Sequence, residues 1–302
     1  MTLEWLYALS RFGHFSSLML LVGSACYGTL LAPRTYRVRL ASQLHGLMAI
    51  SCVAALLTAV AILAAQTGLM SGDWRNIGDA GIWRAVLGTR FGKIWFWQPV
   101  LALMACVVFF WRSRSRSHSH SHSHSRQAGV LVLGILQLCG MGWVGHAAML
   151  EGWPGVLHCI NQIVHLLSVT FWVGGLFPLL FVLQDARLLQ TRTDAILTMM
   201  RFSRYGHLAV ALAILTGLVN TRLILGWPLS AAGLYGALLA VKILLVAVMA
   251  LLALFNRYWV VPRFRRANTA AYGYFLRLTT VELALSVLII ALVSFFATLS
   301  PV

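Results

Sequence analysis

The stretch VLHCINQIVHLLSVTFWVGGLFPLLFVL, residues 156–183, decides the fold. It holds no Asp, Glu, Lys or Arg. As a helix rising 1.5 Å per residue, it exceeds the roughly 30 Å of a bilayer's hydrocarbon core. Its apolar residues run continuously instead of alternating, which argues against a membrane barrel strand. Working outward, seven more runs of this kind appear. The eight expected spans are Trp5–Leu31, Leu44–Leu69, Ile94–Trp111, Ala128–Leu150, Val156–Leu183, Arg204–Leu225, Ala231–Phe255 and Tyr274–Leu299. The predicted fold class is an all-α integral membrane protein, with residues 1–302 as a single transmembrane domain.

Composition agrees. Of 302 residues, 60% are hydrophobic and 10% charged, and the mean hydropathy is +0.83. A water-soluble fold cannot cover that much apolar surface, so soluble enzymes and disordered proteins are excluded. The net charge of +16 would indicate nucleic acid in a soluble chain. Here the arginines gather in four inter-span segments, 32–43, 112–127, 184–204 and 256–273, whereas 151–155 and 226–230 carry no Lys or Arg. Basic loops stay in the cytoplasm, so both termini are expected on the periplasmic side. The 70–93 loop is the exception, with Arg75, Arg84, Arg90 and Lys93 outside. Its tryptophans predict a segment anchored in the interface.

Residues 112–126 read RSRSRSHSHSHSHSR. This run cannot build a core and is expected to be a disordered cytoplasmic loop. His118, His120, His122 and His124 can bind Cu, Zn or Ni weakly, but repeat slippage in a tolerant loop is the preferred reading. Ser10–Phe15 (SRFGHF) resembles Ser203–Leu208 (SRYGHL), and the two enter from opposite sides, in the sense of an inverted repeat. Cys26, Cys52, Cys106, Cys139 and Cys159 are scattered, form no CxxC pair, and read first as small buried hydrophobes.

Polar groups inside membranes are costly and usually functional, so the histidines carry the argument. Counting depth along the helices puts His146, His158 and Met149 on an outer tier. His14, His165 and Met141 fall one tier deeper, roughly 10 Å below. His45 and His207 sit near the cytoplasmic surface, and Cys26 lies on the first span. Imidazole with thioether suits copper, and spaced sites that bind and release suit passage of an ion. Each histidine has a blander reading as a hydrogen bonder between helices. Lys242 and Glu282 are candidates for a charge pair, structural or proton-coupling. Gly142, Gly145, Gly174 and Gly175 permit close helix approach.

Taken together, LSRFGHFSSLMLLVG (9–23), GHAAMLEG (145–152), HCINQIVHLLSVTFWVGGLFPLL (158–180), MRFSRYGHLAV (200–210) and LLAVKILLVAVMALLALFNRYWVVPR (238–263) resemble the copper-resistance protein D (CopD/PcoD) family. The resemblance implies a non-enzymatic inner-membrane protein of copper homeostasis and copper transport. It also implies a periplasmic carrier of the copper-resistance protein C (CopC) type as partner. The family's histidines would fall on His14, His146, His158, His165 and His207. The sequence has no P-loop and no soluble segment long enough for an aspartyl-phosphate domain, which argues against ATP-driven pumping. A bis-histidine haem b cytochrome is the alternative, with His14 and His165, or His45 and His207, as axial pairs.

Overall fold

The structure, a computed structural model, describes residues 2–111, 120–145, 150–226, 233–264, 269–296 and 299. Among these residues helix is the only regular secondary structure. Seven helical segments are long and apolar enough to cross a membrane.

The first half of the chain forms one bundle of four long helices, α1 (Leu3–Cys26), α3 (His45–Ser71), α6 (Trp97–Trp111) and α7 (His120–Met141). The short α2 (Arg34–Gln43) joins α1 to α3, and α4 (Ala80–Gly88) and α5 (Arg90–Trp95) lead into α6. The second half repeats the plan with α8 (Gly152–Asp185), α9 (Arg192–Leu225), α10 (Gly233–Phe255) and α12 (Thr269–Phe296). The four residues of α11 (Val261–Phe264) precede α12. In both bundles the first helix packs on the second and the fourth, and the third packs on the fourth; α3 also packs broadly on α6, whereas α9 does not do so on α10.

The two bundles are related by an internal duplication. The stretches His14–Gly23 and His165–Gly174 share the pattern H-x2-S-x4-V-G. Opposite them, α3 and α9 share Ala-Leu-Leu-Thr (55–58) and Ala-Ile-Leu-Thr (213–216). The halves run in the same direction. The C-terminal end of α8 lies beside the segment that follows α1, and α1 packs on α12 as α8 packs on α7. The corresponding Gly23 and Gly174 touch each other where α1 crosses α8. A Cβ on Gly23 would overlap the Gly174 carbonyl, and one on Gly174 would overlap the Met19 carbonyl. Only glycine allows backbones to approach this closely. The repeat is therefore parallel, a pseudo-twofold about the Gly23–Gly174 contact. The inverted repeat expected from SRFGHF and SRYGHL is corrected: the counterpart of His14 is His165, not His207.

Beyond this crossing, the bundles are tied at one end by a carboxylate. Asp185, the last residue of α8, is buried and accepts from Tyr36 Oη (2.7 Å), Arg39 Nε (3.0 Å), Arg39 Nη2 (2.9 Å) and Gln43 Nε2 (3.2 Å). All three donors lie on α2. The fork-shaped guanidinium holds both carboxylate oxygens, the strong form of this pair. Burial, reinforced by the Asp185 carboxylate, pushes the Tyr36 phenol well above its usual range and keeps it a donor.

Several boundaries differ from those read from the sequence. The fourth span was expected to continue to Leu150, but α7 stops at Met141. Gly140 and Gly142 flank that end, and tight turns follow (Gly142 N to Cys139 O, 3.1 Å; Trp143 N to Gly140 O, 3.2 Å). Gly145 then adopts φ 77°, which L-side chains avoid. Of the expected disordered loop 112–126, residues 112–119 lie outside the described residues and 120–126 are the first turns of α7. The expected loop 184–204 is helical from Arg192, because Ala195, Thr198 and Phe202 provide a buried face there.

Two outcomes follow. Gly23→Ala should lower stability by about 1–3 kcal/mol, the cost of an overpacked core, and Gly46→Ala, which meets nothing, should not. Asp185→Ala leaves the buried Tyr36 hydroxyl without its acceptor and should cost about 1–3 kcal/mol. Thermal unfolding in detergent measures both.

Candidate functional site

Each bundle contains one histidine held in the same manner. In the first, α1 carries His14, which is fully buried. Its Nδ1 lies 3.2 Å from Ala55 O and 3.1 Å from Thr58 Oγ1 on α3. A carbonyl oxygen can only accept, so Nδ1 carries the proton. The Thr58 hydroxyl donates its own hydrogen to Ala54 O (2.6 Å), which leaves its lone pairs for the ring. The imidazole is thereby fixed as the tautomer whose Nε2 has a free lone pair. That Nε2 is buried and meets no hydrogen-bond donor. Trp95 tilts over the ring at 5.8 Å and is pinned by its own Nε1 donating to Ala59 O (3.1 Å).

In the second bundle, α8 carries His165, half-buried, with Nδ1 2.9 Å from Thr216 Oγ1 on α9. Thr216 donates to Leu212 O, as Thr58 donates to Ala54 O. The neighbours differ. Where Trp95 shields His14, His165 lies within electrostatic reach of Lys242 on α10. Around it runs a polar seam between α8 and α9. Asn161 Nδ2 donates to Thr216 O and to Asn220 Oδ1, both 2.9 Å, and Asn220 Nδ2 donates to Gln162 Oε1 (2.7 Å). Nearer the N-terminus of α8, His158 is buried with neither ring nitrogen hydrogen-bonded. Asn220 stands beside it, outside hydrogen-bond geometry.

The sequence-derived tiers are only partly assembled. His146 and Met149 lie outside the described residues. Met141 is buried at the end of α7, and its neighbour Gly142 packs on Ile163 and Cys159 of α8, which puts this end of α7 between His158 and His165. His14 and His165 occupy equivalent depths, as expected, but do not share a site. One faces α3 and the other α9. His45 stacks on Phe109 of α6 at 5.0 Å. His207 bonds back to Ser203 O of its own helix (2.6 Å) and meets Tyr258 edge-on, so these two have separate neighbours as well. The members of each expected pair are thus anchored on different helices. Cys26 is buried in the core. Among the described residues no three of His, Cys, Asp and Glu are gathered into a metal cage.

The Lys242–Glu282 charge pair is not formed. Lys242 Nζ lies 5.9 Å from the Phe296 ring, and buried Glu282 faces Asn256 instead. The sole ion pair among the described residues is Arg39–Asp185. The reason is depth: Met249 against Ser286 and Asn256 against Thr279 set the antiparallel register, which puts Glu282 opposite position 253, about 16 Å along α10 from Lys242. Of the glycines, Gly142 does bring α7 onto α8, but Gly174 serves α1 and Gly175 receives Phe202 of α9.

At the end of the molecule away from Asp185, Arg90, Trp143, Glu151 and Trp153 border a hollow of about 420 Å³. Trp153 is 79% exposed there.

What sequence reading missed were the threonines. Thr58 and Thr216 are unremarkable alone, and only the repeated Ala-x-Leu-Thr opposite each histidine could have identified them.

Comparison with known proteins spans both bundles. Residues 1–156 match the family described as Copper resistance protein D-like, N-terminal domain, and residues 196–296 match Copper resistance protein D. The chain is 38% identical over 291 residues to Inner membrane protein YebZ of Escherichia coli (strain K12), covering 96% of this chain and 97% of that protein. It is 29% identical over 310 residues to Copper resistance protein D of Pseudomonas syringae pv. tomato, covering 96% and 95%. No solved structure matches it.

Proposed function

The chain belongs to the copper resistance protein D family, and from that premise we propose that it binds copper ions inside the inner membrane and carries them across it. The observation carrying this reading is the shared state of His14 and His165. A histidine that ligates metal typically gives its second ring N–H to an oxygen, which fixes the tautomer and aims the lone pair. His14 has that arrangement through Thr58 and Ala55, with a buried lone pair that nothing else occupies. His165 has it through Thr216. A neutral imidazole in a dry helical interior is a good ligand for copper and a poor one for hard cations. Two single-histidine stations are also weak enough to release what they bind.

In this reading α7 is the fourth of eight spans and both ends of the chain are periplasmic. The arginine-rich segments support that orientation, and Asp185 then ties the bundles on the cytoplasmic side. The opposite hollow around Glu151 and exposed Trp153 becomes the periplasmic mouth, where a carrier of the CopC type would dock. His158 lies just inside it. Copper is the cargo, and the histidines replace its hydration as it passes. The copper reading is favoured over haem because His14 and His165 point into different bundles.

His14→Ala and His165→Ala should each reduce copper bound by the purified protein and abolish the cellular copper response, while the protein still inserts. Thr58→Val and Thr216→Val should weaken copper affinity by about 10- to 100-fold, the usual effect of removing a group that orients a ligand. Unchanged copper binding and copper response in both histidine variants would overturn the reading. Reporter fusions at residue 117 and after residue 302 should signal cytoplasm and periplasm respectively; a cytoplasmic C-terminus contradicts the orientation.

A further inference from the structure

The first bundle contains a sulfur pair that the histidine stations do not use. Cys52 on α3 and Cys106 on α6 are 1% and 9% exposed, and both are free thiols. They stand on the packed helices α3 and α6 and are neighbours in one core cluster. Around them is a stripe of donors. On α3, His45, Met48, Cys52 and Ala55 follow at i, i+3, i+7 and i+10, which is one face of a helix. Met48 is 1% exposed. The Ala55 carbonyl is the group that holds His14. From His14 the stripe therefore descends through the thiol pair and a buried thioether to His45, over roughly 15 Å.

The duplication supplies an internal control. In the register that aligns Thr58 with Thr216, Cys52 corresponds to Val210. The corresponding core of the second bundle is Trp172, Ala209, Ala213, Met249 and Ala250, with no thiol among the described residues. That fold position can evidently be packed by an aliphatic side chain. The second bundle keeps charges instead, Lys242 and Glu282.

We propose that Cys52 and Cys106 bind Cu(I) between their two sulfurs, as the station below His14 on a route through the first bundle. Paired sulfurs suit a soft monovalent ion and exclude hard ones. The ion arrives already as Cu(I), so no electron moves. Binding displaces one proton from each thiol that becomes a thiolate; the first makes a neutral Cu(I)–thiolate unit and the second sulfur closes the coordination. Met48, one turn away, is the next soft donor. This inference rests on the copper reading for the identity of the ion and adds its oxidation state and its path.

The test is an anaerobic titration of the full-length protein in detergent with Cu(I), against a chromogenic Cu(I) chelator. Ultraviolet absorption and copper-edge X-ray absorption are recorded on the same samples. The unmodified protein should show a thiolate-to-Cu(I) charge-transfer band and a copper fraction with sulfur neighbours. Cys52→Ser/Cys106→Ser should lose that band and one equivalent of Cu(I), whereas Cys159→Ser should keep both. If the double variant binds as many equivalents with the same band, the proposal is overturned. The X-ray spectrum of unmodified protein decides the case even if the double variant does not fold: only nitrogen or oxygen neighbours would overturn it. The two readings fail separately. Loss of copper response in His14→Ala without any thiolate band defeats the dithiol site alone. A thiolate band with normal copper response in both histidine variants defeats the histidine stations alone.

Discussion

Everything in this fold turns on one close approach, the backbone of Gly23 against the backbone of Gly174. In a bilayer the lipid tails are as apolar as the helices, so hydrophobicity gives little reason for two spans to associate. Shape must do it, and glycine allows the carbonyl of one helix to lie where a side chain would stand on the other. Because both glycines occupy the same position of a duplicated motif, the contact lies on the pseudo-twofold axis. It fixes α1 against α8, and with them the depth of His14 and His165. The other shared elements follow from it. Tyr27 and Phe171 both close on Phe202 at 5.3 and 5.6 Å, filling the space just beyond the crossing.

The sequence disclosed the lipid environment and most of the spans, because those depend on runs of residue type alone. Val156–Leu183 was legible since nothing in it is charged, and Ala231–Phe255 for nearly the same reason, with Lys242 as its single charge. The end of α7 was not. The apolar run passes through Gly140, Gly142 and Gly145, and only the packing of Gly142 against Ile163 shows where the helix must stop. The site was legible in part. Histidines inside apolar helices mark themselves, but which way each ring points depends on a tertiary partner. Levels alone suggested that His14 and His165 meet, and the threonines opposite turned them apart. The expected charge pair failed for a related reason: opposite signs on neighbouring helices say nothing about register.

The duplication also makes the differences between halves informative. Equal backbones surround unequal chemistry. One bundle is lined by sulfur and aromatic groups around His14, and the other by amides, a lysine and a carboxylic acid around His165 and Glu282. The two bundles nevertheless share one continuous core.

The tie at Asp185 has a consequence for how the protein is made. Its partners Arg39 and Tyr36 precede it by 146 and 149 residues. At about 5–20 residues per second, a ribosome needs roughly 7–30 s to supply the carboxylate after those donors have emerged. During that interval α3, α6 and α7 are synthesised, while α2 remains a polar, cationic segment without its anion. The ion pair closes only when α8 has been inserted to its last turn and in the correct orientation. A chain threaded the wrong way leaves Asp185 on the far side of the bilayer, with α2 unsatisfied. The latch thus distinguishes finished from unfinished molecules: only in the former does the buried Tyr36 hydroxyl have its acceptor.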